Sequence, residues 1–213
     1  MVQLMVPIPE RQQAVRLPAG VLDWSEEEFF RFCQANRELQ IERTAEGEIL
    51  VMSPAGGYSG YRSGVVFRQL SVWAETDQTG MAFDSSTGCV LPSGAMRSPD
   101  AAWVRLSRLG ALSRQQKERF LPLCPDFVIE VASPSDEISA LRAKMEEYRQ
   151  AGLRLGWLIL PASNSLGLGS GPPAVEVYSE AGVETLASPE TLAGDPVLPG
   201  FRLELATIWN PPF

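Results

Sequence analysis

Phe127-Val128-Ile129-Glu130-Val131-Ala132, entered through Pro125-Asp126 and left through Ser133-Pro134, decides how this chain is read. A run so apolar and β-branched, bounded by proline turns, is a strand buried on both faces. Downstream, Ile138, Leu141, Met145 and Tyr148 recur at spacings of three, four and three, the stripe of an amphipathic helix. Gly152 suits the residue just past its end, and the helix is read as starting from Ser133-Pro134-Ser135-Asp136. Leu155–Leu160 is then a second apolar strand. Strand, helix, strand implies an α/β fold with a mixed sheet flanked by helices.

The flanking chain fits this frame. Ser25-Glu26-Glu27-Glu28 is a capping box opening a helix to about Asn36. Leu39–Arg43 and Glu48–Met52 read as a β-hairpin, and Ser59–Glu75 as a helix burying Val66, Leu70 and Trp73. Short strands are expected at Met81–Asp84 and Gly88–Leu91, and a longer one at Asp100–Val104. Ser113 caps a short helix, Ser163–Pro173 is a loop, and Ala174–Tyr178 with Val183–Leu186 form a C-terminal hairpin. The segment from Leu198 to Trp209 packs the end of the chain down. Residues 1–20 are expected to be extended over the surface, and 21–213 to form a single domain.

An acid inside an apolar strand costs several kcal/mol unless something positive lies beside it. Two strands here carry one: Asp100-Ala101-Ala102-Trp103-Val104 and the run holding Glu130. Asp126 and Glu130 share a strand face but lie about 13 Å apart, too far to grip one ion. Asp126, following Pro125, reads as a turn or cap residue. Asp100 is the better partner for Glu130, because cross-strand neighbours place Cβ atoms about 5 Å apart, close enough for one Mg²⁺. Lys144 borders the buried stripe of the following helix. It is either solvated beside Glu147 or turned toward the two acids, and its coincidence with them favours the second. As a border residue it is expected to contribute little to packing.

Composition narrows the chemistry. The 213 residues contain no histidine, which excludes Ser-His-Asp and Cys-His catalysis and HExxH metalloproteases. Cys33, Cys89 and Cys124 are odd in number and widely spaced, so neither a disulfide frame nor a zinc site is expected. The net charge of −8 argues against bulk coating of nucleic acid. Residues 97–119 run against that trend, with Arg97, Arg105, Arg108, Arg114, Lys117 and Arg119. They are either a solvated face or a phosphate-contacting surface beside the acids. No signal peptide and no bilayer-length apolar run is apparent, so a soluble, cytoplasmic protein is expected.

These residues resemble the PD-(D/E)XK nuclease superfamily and, more narrowly, its Uma-type restriction endonuclease family, from about Asp23 to Trp209. The carriers are Met52-Ser53-Pro54-Ala55-Gly56-Gly57, Arg97-Ser98-Pro99-Asp100, Pro125 through Asp136, Lys144 with Tyr148, Gly152 and Trp157, and Leu198-Pro199-Gly200-Phe201. The superfamily's lysine two residues after the glutamate falls on Ala132, and the resemblance moves that role to Lys144. It implies a restriction-endonuclease-like mixed sheet with an N-terminal helix and hairpin. It also implies a Mg²⁺-dependent (or Mn²⁺-dependent) DNA endonuclease, with Asp100, Glu130 and the Val131 carbonyl as metal ligands. Lys144 would act on the attacking water or the phosphate. Ser53, Gly56, Gly57, Arg97, Arg105 and Arg108 are the expected DNA contacts, and a homodimer the expected assembly. The alternative is a catalytically weak nuclease fold kept as a nucleic-acid or protein interaction module.

Overall fold

The computed structural model describes residues 14–22, 24–134, 136–162 and 171–213. The chain opens with β1 (Ala14–Leu17), α1 (Glu26–Ala35), β2 (Gln40–Arg43), β3 (Ile49–Met52) and α2 (Gly57–Asp77). There follow β4 (Gly80–Asp84), β5 (Cys89–Val90), β6 (Met96–Arg97), β7 (Ala101–Arg105), α3 (Leu106–Gly110) and α4 (Arg114–Lys117). The βαβ unit is β8 (Phe127–Val131), α5 (Ile138–Gln150) and β9 (Leu155–Leu160). The end of the chain holds β10 (Ala174–Ser179), β11 (Gly182–Ala187), β12 (Thr191–Ala193), β13 (Arg202–Glu204) and α6 (Ala206–Trp209).

A six-stranded sheet in the order β11-β10-β9-β8-β7-β4 forms the centre. Its only parallel pair is β8 with β9, joined by α5, as a crossover through a helix requires. Side chains alternate along β8. Phe127, Ile129 and Val131 join Val65, Val66, Leu70 and Ala74 of α2, while Val128 joins Met145 and Tyr148 of α5. Glu130 therefore points to the α5 face. Gly156 lets α5 approach closely, since a Cβ there would lie 2.6 Å from the Met145 side chain. The α2 face is closed by Leu198, Phe201, Leu203 and Ile208, with the Trp157 and Phe201 rings stacked.

The N-terminal hairpin does not stand alone. It belongs to a second, antiparallel sheet, β1-β3-β2-β6-β5, in which Arg43 pairs with Met96. Phe29 of α1 packs with Ile41, Ile49 and Met96 beneath it. The Ser25 capping box forms as expected, and Ser113 closes an equivalent box on α4. α2 begins two residues before the expected Ser59, and β7 starts one residue after Asp100. α5 starts at Ile138 with Glu137 at its N-cap, later than the Ser133 start expected. Residues 14–17 form the edge strand β1, paired with β3; residues 1–13 and most of the expected 163–173 loop fall outside the described residues. Among those described, no helix is long and apolar enough to cross a membrane.

Candidate active site

β7 and β8 run antiparallel with Ala101 opposite Ile129, so one further step along that register sets Asp100 opposite Glu130. Asp100, half-buried at the sheet end, accepts the Val131 amide on Oδ2 (2.8 Å) and the Ser63 hydroxyl of α2 on Oδ1 (2.9 Å). Glu130 is buried. Lys144 Nζ lies 2.7 Å from Glu130 Oε1, and Tyr148, one helical turn on, donates its hydroxyl to the same oxygen at 3.3 Å. Lys144 thus takes the inward orientation; Glu147, its alternative partner, instead binds Arg97 Nε at 2.6 Å. With a side chain only 13% exposed between acids, Lys144 is not the peripheral residue that its border position suggests.

Sequence reasoning missed a third acid. Glu42 of β2 is buried, and its Oε1 accepts both Lys144 Nζ (2.8 Å) and the Ser98 amide (3.0 Å). Its Oε2 meets Arg97 at 3.1 Å. Glu42 alternates with Leu39 and Ile41 in a short strand, a pattern that reads as outward-facing on a half-buried hairpin. Phe29 of α1 packs against Ile41 on one face of the strand and Lys144 and Arg97 cover Glu42 on the other, and nothing local in the sequence signals that.

The electrostatics separate the acids. Burial works against ionised Glu42, yet Lys144 and Arg97 beside it hold its pKa below the usual carboxylate range. Glu130 has Lys144 alone as a cation among the described residues. Burial outweighs that lysine, and the charges of Asp100 and Glu42 add to it, so its pKa is pushed up to about 8. Burial likewise raises Asp100 despite its two hydrogen bonds. Lys144 is raised because its two carboxylates outweigh its burial. The cluster therefore carries more carboxylate than cation, which suits a divalent ion bound by one or two carboxylates with water completing the shell. Among the described residues, no group of three or more His, Cys, Asp or Glu is placed to hold a metal ion.

The other expected contacts divide. Ser53, Gly56 and Gly57 are exposed where β3 turns into α2, and Ser53 lines a cleft of about 540 Å³ shared with Ser98 and Ile41, next to Glu42. Arg97, an expected DNA contact, joins the site buried between Glu42 and Glu147. The structure does not bring Arg105 and Arg108 to Asp100. Five residues along β7 is about 17 Å at a strand's rise, and at that far end Asp126 accepts the Arg105 amide and pairs with Arg108 at 3.1 Å. Asp126 thus anchors a turn, as its place after Pro125 suggests. Of the rest of the basic segment, Arg114 pairs with Glu118 and Arg119 with Glu27.

A family model described as "Putative restriction endonuclease" matches residues 26–206, spanning Glu42, Asp100, Glu130 and Lys144. The chain belongs to the Uma2 family. A crystal structure of a putative nuclease from Anabaena variabilis is similar to the Uma2 chain described here, at 18% identity and a TM-score of 0.63. The match covers 79% of this chain and 89% of that one. At such low identity it establishes the nuclease-like fold alone. Comparison with curated proteins gives no match.

Proposed function

We propose that this Uma2 protein is a divalent-metal-dependent endonuclease that hydrolyses phosphodiester bonds of DNA, with Mg²⁺ or Mn²⁺ as the ion. The observation that carries the reading is that half-buried Asp100 and buried Glu130 lie opposite each other at the sheet end, with the Lys144 ammonium 2.7 Å from Glu130. Asp100, Glu130 and the Val131 carbonyl would hold the ion. When bound, a divalent ion polarises a scissile phosphate and lowers the pKa of an attacking water.

The remaining parts belong to the chain. Ser63 and the Val131 amide fix both oxygens of Asp100, so its carboxylate is oriented before any ligand arrives. Lys144 places a compact positive charge where negative charge builds on the phosphate in the transition state, or orients the water beside it. Exposed Ser53, Gly56 and Gly57 flank the cleft as contacts for the DNA backbone.

The test is cleavage of supercoiled plasmid by purified protein in Mg²⁺ or Mn²⁺. Wild type should nick and linearise the plasmid, and Asp100→Ala should not. Equal cleavage by both would assign the activity to a contaminant or to other residues. The ion pairs that already engage Glu42, Glu130 and Glu147 favour a second reading, a catalytically weak nuclease fold that binds nucleic acid or protein. Binding of DNA by folded wild type without cleavage in either metal would select it.

A further inference from the structure

We propose that Glu42 is a positioning residue: it retains Lys144 at the site when Glu130 turns its charge to a metal ion. The inference rests on the metal-dependent reading above. Lys144 is shared by two carboxylates at nearly equal distances, 2.7 Å to Glu130 and 2.8 Å to Glu42. Those carboxylates are not equivalent. Glu42 is fixed at both oxygens by groups apart from the proposed ion, the Ser98 amide on one and Arg97 on the other. Arg97 is itself tied to Glu147 of α5. Glu130 has no such second cation among the described residues.

A divalent ion on Glu130 repels the ammonium beside it. A lysine's rotamer entropy favours its release to solvent. Glu42, its charge already secured by Arg97, is the anion that keeps Nζ in place. Composition supports a dedicated role for the ammonium: this chain has two lysines, Lys117 and Lys144, among eighteen basic residues. Arginine serves nearly everywhere else, yet this buried position holds the smaller point charge. A purely structural ion-pair cluster gives no reason for that choice.

The same scarcity makes the test clean, because exposed Lys117 on α4 is an internal reference. Wild-type, Glu42→Gln and Glu42→Asp chains are acylated at lysine with and without Mg²⁺, and the Lys144/Lys117 labelling ratio is read by mass spectrometry. In wild type the ratio should stay low in both conditions. In Glu42→Gln it should rise about tenfold on adding Mg²⁺, the weight of one charge-assisted hydrogen bond, and change little without metal because Glu130 still holds the lysine. Glu42→Asp keeps the charge facing Arg97 but draws it back from Lys144, and should give an intermediate rise; if Glu42→Gln does not fold, this variant decides. A ratio that stays at the wild-type value in a folded variant with Mg²⁺ overturns the proposal alone. Failure of Mg²⁺ to raise the wild-type melting temperature overturns both the metal reading and the proposal.

Discussion

Glu130 is the side chain on which stability and function pull apart. Its pKa is raised from 4.5 to about 8 in the folded protein, so the native state binds this proton more tightly than the unfolded chain does. The sign follows: its contribution is greatest below pH 4.5 and drains away as pH climbs from 4.5 toward 8. Glu130→Gln should therefore raise the melting temperature at pH 8.5 relative to wild type, while making little difference at pH 4.5. A variant less stable than wild type at pH 8.5 would show that the Lys144 pair outweighs burial. Lys144→Ala behaves differently. It leaves Glu42 and Glu130 facing each other, and breaking a buried pair on one side costs about 3 kcal/mol or more. Chemical denaturation at pH 7 should show a loss of that order; a change under 0.5 kcal/mol, the ordinary spread for surface sites, would return Lys144 to the solvated face. The sequence disclosed Asp100, Glu130 and Lys144 because acids stand out in apolar strands and a lysine stands out beside a buried stripe. Glu42 and the burial of Arg97 were hidden. Glu42 meets Lys144 across 102 residues of chain, and no local pattern encodes such a pairing.

Secondary structure was legible where the repeat is long or a cap is explicit. α2 and α5 follow from periodicity, β8 and β9 from their apolar runs, and the starts of α1 and α4 from the caps at Ser25 and Ser113. β6 has two residues, and β12 and β13 three, too few for a period to show. Their pairing is imposed by contacts from elsewhere in the chain. Two glycines test how tightly these elements meet. A Cβ at Gly80 would stand 2.2 Å from the buried Trp103 ring, whereas one at Gly156 would meet the flexible ends of Met145 and Leu153 at 2.6 and 2.7 Å. Gly80→Ala should cost about 3 kcal/mol, near the upper end for overpacking, and Gly156→Ala about 1 kcal/mol. Melting temperatures in the reverse order would mean that the strand backbone yields more readily than the side chains. Gly156→Ala should also lower cleavage, because α5 carries Lys144 and Tyr148 to Glu130.

Metal should register in the stability of the fold as a whole, because a ligand that binds the native state alone stabilises it by mass action. Mg²⁺ at about 100 times its dissociation constant would contribute about 2.7 kcal/mol. Thermal melts should shift upward for wild type and not for Asp100→Ala. Equal shifts in both would locate the ion elsewhere. The broad architecture, a mixed sheet between helices, was legible in the βαβ unit; the second sheet was not, since it joins short pieces distant in sequence, Arg43 pairing with Met96 across 53 residues. Glu42 reaches Lys144 only when β2 is docked against the βαβ unit, so the complete cluster exists only where both sheets are assembled. A copy whose second sheet is undocked keeps Asp100 and Glu130 on paired strands, with Lys144 held by Glu130 alone. Loosening that sheet alone would therefore halve the anionic grip on the lysine while leaving the two acids where they are.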